Sequence, residues 1–154
     1  MKKQFFVCLL ALAALTFGCQ GSGGDVANGV STSEEHRATA SIDPKSGSQL
    51  TGSATFTNEN GQVSLEIDLK NAPPGEHGVH IHEIGDCSAE DGTSAGGHWN
   101  PAGHDHGKWG EEPFHLGDIG NIMVGEDGTG SLKMSTDLWS IGTGQDNDVV
   151  GKAV

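Results

Sequence analysis

Seven of the chain's eight histidines fall between His77 and His115, and an aspartate, Asp118, closes the run. Imidazole and carboxylate are among the side chains that bind late first-row metals, so this density points to metal chemistry. His80 and His82 are separated by one residue. On an extended strand both rings leave the same face, and Val79 and Ile81 point the other way, into a core. Two imidazoles fixed on a sheet make a preorganised half-site for a transition metal. The glycine-rich stretch that follows adds His98, His104, His106, His115 and Asp118. Three imidazoles and one carboxylate form a nitrogen/oxygen set that zinc accepts in a closed tetrahedral site.

Strands are the elements that must position these groups. From His36 onward the apolar period is two: Ala38, Ala40 and Ile42, then Leu50, Gly52, Ala54 and Phe56, then Val63, Leu65, Ile67 and Leu69. Alternation puts one face in a core and the other in water, as half-buried antiparallel strands require. Asn60-Gly61 supplies the positive φ angles of a tight hairpin turn between the second and third runs. Pro73-Pro74-Gly75 precedes a strand expected over residues 78–83. Residues 119–124 and 131–135, joined by a turn at Asp127-Gly128, read as another hairpin, and residues 149–154 read as the start of a last strand. No helical stripe of useful length is present, so the expected class is an all-β sandwich or barrel. Residues 85–117 have no regular pattern and are too long for a passive connection; bound metal would order them.

The chain's beginning reads differently. Lys2 and Lys3 precede an uncharged apolar run, residues 5–17, too short to span a bilayer but of secretory-signal length. Leu15-Thr16-Phe17-Gly18-Cys19 resembles a bacterial lipobox, whose cysteine is acylated, with Thr16 where that pattern usually has Leu. The plainer alternative is an ordinary signal peptide cleaved beside a cysteine. The expected division is a signal peptide over 1–18, a lipidated Cys19 with a Gly/Ser-rich flexible linker over 19–35, and one domain over 36–154. Cleavage leaves 136 residues (154 − 18) and takes the formal charge from −13 to −15 as Lys2 and Lys3 depart. So acidic a chain argues against nucleic acid and against electrostatic adhesion to anionic lipid. Membrane attachment in the bacterial envelope then rests on Cys19. Export implies an oxidising compartment, yet Cys8 leaves with the signal and Cys19 carries lipid, which strands Cys87 without a partner.

Several blocks in order resemble the copper/zinc superoxide dismutases. The family signature G-x-H-x-H-E is met by Gly78-Val79-His80-Ile81-His82-Glu83. Gly85-Asp86-Cys87, Ser94-Ala95-Gly96-Gly97-His98-Trp99-Asn100-Pro101, His106-Gly107 and His115-Leu116-Gly117-Asp118-Ile119-Gly120-Asn121 follow at similar spacing. The resemblance covers roughly residues 36–154. It implies an immunoglobulin-like Greek-key β-sandwich or barrel that holds copper and zinc and dismutates superoxide to oxygen and hydrogen peroxide. Carried over residue by residue, His80, His82 and His98 are the copper ligands and catalytic groups. His98, His106, His115 and Asp118 are the zinc ligands, so His98 bridges the two ions. His77 would have a structural hydrogen-bonding task, Glu83 and Asn100 would be scaffold, and His36 a surface residue. His104 has no family role and is read as solvated or as a spare ligand.

The family pattern also includes, just past Val154, a fourth copper histidine, a substrate-attracting arginine, a cysteine to pair with Cys87, and a final strand. The expectation is therefore a domain truncated at its carboxy end, with last strands missing, weakened copper binding and impaired dismutation. An open strand edge and a missing disulfide follow from the same shortfall. Histidine-rich tracts often bind metal without turnover, so a non-catalytic zinc- and copper-binding envelope lipoprotein is the alternative, and a poorly folding truncated product is a third. Monomer and homodimer both stay open.

Overall fold

The alternating apolar runs become strands. In the computed structural model, which describes residues 36–154, the strands are β1 (His36–Ile42), β2 (Thr51–Glu59), β3 (Gln62–Lys70), β4 (Gly75–Val79), β5 (Gly120–Val124) and β6 (Gly130–Thr136). They form one antiparallel sheet in the order β1-β2-β3-β6-β5-β4. After β3 the chain crosses to the far edge and returns through β5 to β6, which pairs with β3. That is a Greek-key connection. The expected signal peptide, the Cys19 lipid site and the linker lie outside the described residues. Among those described, no helix is long and apolar enough to cross a membrane.

The β2–β3 hairpin shows how sequence sets register. Glu59 pairs with Gln62 across the two-residue turn, and Asn60 and Gly61 adopt φ of 55° and 83°. Those are the left-handed angles that a two-residue hairpin matching strand twist demands. The turn brings Val63, Leu65, Ile67 and Leu69 to one face, all buried, with charged or polar residues between them. Ala54 and Phe56 of β2 and Ile122 and Val124 of β5 add to this face.

What covers that face is irregular chain. Ile81, Trp99, Ile119, Trp139, Ile141 and Val149 pack onto the strand side chains in one cluster. Trp139 meets Phe56 edge-on at 5.7 Å, and Trp109 packs against both Trp139 and Phe114 at 5.2 Å. The Trp139 indole N–H donates to the Leu116 carbonyl at 3.0 Å, which satisfies its polar atom inside the core. The long loop is thus ordered by aromatic anchoring.

Two expected elements are corrected. The strand expected over 78–83 is instead β4, Gly75–Val79, which ends before His80 because its partner β5 begins opposite Val79. Alternation nevertheless continues: Ile81 is fully buried while His80 and His82 remain partly exposed. Residues 149–154 do not form a strand. Gly151 turns left-handed at φ 81°, and Ala153 alone makes a bridge, exchanging backbone hydrogen bonds with His82.

Candidate metal centre

Beyond β4 the backbone leaves the ladder and closes a ring. Ile81 N–H donates to Gly117 at 2.9 Å, Gly117 N–H to Trp99 at 2.9 Å, and Trp99 N–H to Ile81 at 2.8 Å. Each member adjoins metal-capable side chains: Ile81 lies between His80 and His82, Trp99 follows His98, and Gly117 precedes Asp118. Three chain segments remote in sequence are thereby fixed to within a hydrogen bond of one another. The approach leaves no room for a side chain at the third member. A Cβ on Gly117 would stand 2.2 Å from the Ile81 carbonyl oxygen.

Four donors converge around Asp118. Its Oδ1 lies 3.0 Å from His98 Nδ1, 3.0 Å from His106 Nδ1 and 3.3 Å from His115 Nδ1, and the four ligand atoms all fall within 4.8 Å of one another. The other carboxylate oxygen, Oδ2, accepts the backbone N–H groups of His115 at 2.8 Å and Gly107 at 3.1 Å. Burial by itself would raise the Asp118 pKa, but these two donors, with His98 alongside, hold it down to about 2. The carboxylate is therefore ionised and locked with Oδ1 facing the imidazoles. His115 Nδ1 is buried with no hydrogen-bond partner. A buried nitrogen left unpaired is costly, and a cation in this set removes that cost. Three nitrogens and one carboxylate oxygen suit zinc, so the donors present fit the ion that the sequence implies.

The second set, His80, His82 and His98, is less convergent. The His82 Nδ1 lies 3.0 Å from the Gly96 carbonyl; since a carbonyl only accepts, Nδ1 carries the hydrogen and Nε2 keeps its lone pair. The His80 ring stacks on His98 at 3.9 Å and 17°, and the His82 ring meets His98 at 5.3 Å, nearly perpendicular. Burial, then the neighbouring imidazole of His98, lowers the His80 pKa below the usual histidine value, which keeps the ring neutral and able to ligate. His98 thus stands between both sets, with Nδ1 committed to the Asp118 side. Three imidazoles suit copper, and the residues fit that ion in kind.

An open cleft lined by His80, His106, Asp118, Asn121 and Lys108 leads to this centre. A larger hollow of about 870 Å³ lies over the outer face at Thr51, Asp68 and Ser131, shares no residue with the histidines and lacks convergent donors. His104 stays outside the cluster, with Nδ1 3.4 Å from the Phe114 carbonyl and 3.6 Å from Glu112. His77 Nε2 donates to the Pro73 carbonyl at 2.7 Å, the structural task expected of it, and His36 is exposed. Glu83 accepts the Gly97 N–H at 3.3 Å, and Cys87 is exposed and unpaired among the described residues. The backbone ring and the Gly107 N–H escaped the sequence reading; a glycine wedged between His115 and Asp118 was the one signal available for them.

A Greek-key β-sheet that carries this His/Asp cluster has the donors to hold a metal ion. The family model for copper/zinc superoxide dismutase matches residues 50–154. The chain belongs to that family. Among solved structures it is similar to the clock protein EA4, at 31% identity and a TM-score of 0.66, over 77% of this chain and 72% of that one.

Two outcomes are expected. Gly117→Ala forces the Ile81 and Asp118 segments apart and should lower stability by about 2–3 kcal/mol, the scale of an overpacked interior, together with zinc affinity; chemical denaturation and chelator competition measure both, and an unchanged protein refutes the ring's role. In the metal-free protein Asp118 is more acidic folded than its usual value of 3.8. It therefore stabilises the fold above about pH 4, by about 2 kcal/mol, and that contribution disappears as pH falls towards 2. Denaturation midpoints between pH 5 and pH 2 should fall more steeply in the wild type than in Asp118→Asn, and parallel curves would contradict it.

Proposed function

We propose that this domain dismutates superoxide at a copper–zinc centre bridged by His98. The supporting observation is the position of that ring: Nδ1 is 3.0 Å from Asp118 within the four-donor set, and the ring packs against His80 and His82 on the copper side. Copper held there would supply the one-electron chemistry, accepting an electron from one superoxide and returning it to a second. Zinc held by His98, His106, His115 and Asp118 would fix the ring and the loop. His98 Nε2 is the atom at which a proton can be held beside the substrate. His82 is kept in one tautomer by Gly96, and the buried Ile81 fixes the spacing between His80 and His82.

Full-length protein loaded with copper and zinc should shorten the lifetime of superoxide well below that seen with zinc-only protein. His98→Ala should remove at least about tenfold of that rate, since even partners of ligands matter on that scale. Equal rates for the two metal loadings would instead favour a non-catalytic zinc-binding role. That second reading draws on a specific feature: among the described residues, only the Asp118 set gathers its donors within 4.8 Å.

The reading extends to location. The apolar run over 5–17 and the Cys19 motif support export and acylation, which would hold the domain at a membrane surface in the envelope. Cys19→Ala should then shift the protein from the membrane to the soluble fraction; identical fractionation would rule the anchor out.

A further inference from the structure

Between His98 and His106 the chain makes a loop whose two ends both supply the zinc set. Asn100-Pro101-Ala102-Gly103 is a β-turn, with the Gly103 N–H bonded to the Asn100 carbonyl at 3.2 Å, proline at the position that prefers its φ and Gly103 left-handed at 69°. The Asn100 side chain then reaches past the turn. Its Oδ1 accepts the His104 backbone N–H at 3.0 Å, and its Nδ2 donates to the His104 carbonyl at 2.8 Å. One amide thus grips both polar atoms of one residue.

The His104 carbonyl has a second partner, His115 Nε2, at 3.1 Å. A carbonyl oxygen only accepts, so Nε2 must carry the hydrogen of the neutral ring. That leaves the lone pair on Nδ1, the buried nitrogen with no partner that faces Asp118 Oδ1. Which nitrogen of a ligating histidine is free is decided by the bond the other one makes. Here that bond is made to a carbonyl whose place in space is set by Asn100.

We propose that Asn100 is a positioning residue for the zinc site, selecting the His115 tautomer through the His104 carbonyl. The inference rests on the zinc-site reading above and adds a role for two residues that touch no metal. It also gives His104 a use through its main chain; its imidazole reaches instead to the Phe114 carbonyl, 3.4 Å from Nδ1, and to Glu112 at 3.6 Å.

The test uses the full chain and the variants Asn100→Ala, Asn100→Asp and His104→Ala. Asn100→Asp is nearly isosteric and keeps the acceptor while removing the donor, so it decides the matter if the alanine variant fails to fold. In metal-free protein at pH 8, above the usual imidazole pKa of about 6.5, long-range proton–nitrogen correlation spectra report the tautomer of each histidine. The wild type and His104→Ala should show His115 protonated at Nε2, and the Asn100 variants a mixture. Zinc affinity, by competition with a chromophoric chelator, should fall about 10- to 100-fold in the Asn100 variants and stay unchanged in His104→Ala. Wild-type tautomer and affinity in both Asn100 variants, or an equal loss in His104→Ala, would overturn the proposal. If the wild type itself binds no zinc, the zinc-site reading fails, and the metal-free spectra still decide whether Asn100 sets the tautomer.

Discussion

Three backbone hydrogen bonds, joining Ile81, Trp99 and Gly117 head to tail, are the constraint on which the metal centre depends. A ligand set assembled from a strand end and two turns of a long loop needs its donors placed to within a few tenths of an ångström. Side chains alone do not give that precision, because each imidazole swings on two torsions. Backbone atoms bonded to one another do. The ring sits one residue from four of the candidate ligands, so little freedom remains between the fixed point and the donor atoms. Its burial among Ile81, Trp99 and Ile119 keeps water from competing for those hydrogen bonds.

Electrostatics then separate the two halves of the centre. Asp118, nearly inaccessible to solvent at 2%, is held ionised by backbone donors and draws three imidazoles around one oxygen. His80 and His82 have no carboxylate of their own and meet His98 through ring packing. The donors are consequently gathered tightly around a carboxylate on one side and arranged more loosely on the other. The surrounding chain has a formal charge of −13, and Lys108 at the cleft is hydrogen-bonded to Glu111. A net negative field of this kind disfavours the approach of anions.

Much of this was legible in the residues. The period-two runs produced β1, β2, β3, β5 and β6 close to their expected limits, and Asn60-Gly61 marked the hairpin. His98, His106, His115 and Asp118 come together as the family resemblance implied. The strand expected over 78–83 differs from β4 because alternation persists where the ladder does not: Ile81 is buried with Trp99 in the core cluster rather than by strand pairing. The single bridge at Ala153 was likewise invisible, since a run of valines reads as a strand whether or not a neighbour is there to pair with it. The aromatic anchors Trp109, Phe114 and Trp139 have no sequence signature, because isolated aromatics carry no period.

Sequence by itself determined the chemistry available and the local geometry: which atoms can bind metal, which faces are apolar, where the chain must turn. These depend on side-chain type and on torsion preferences, which act over a few residues. Tertiary structure alone decided which nitrogen of His98, His106 and His115 faces Asp118, which carboxylate oxygen is free, and why Gly117 tolerates no side chain. Those are outcomes of hydrogen bonds between segments many residues apart, and a donor's partner is chosen by its distance in space, which the order of residues does not state.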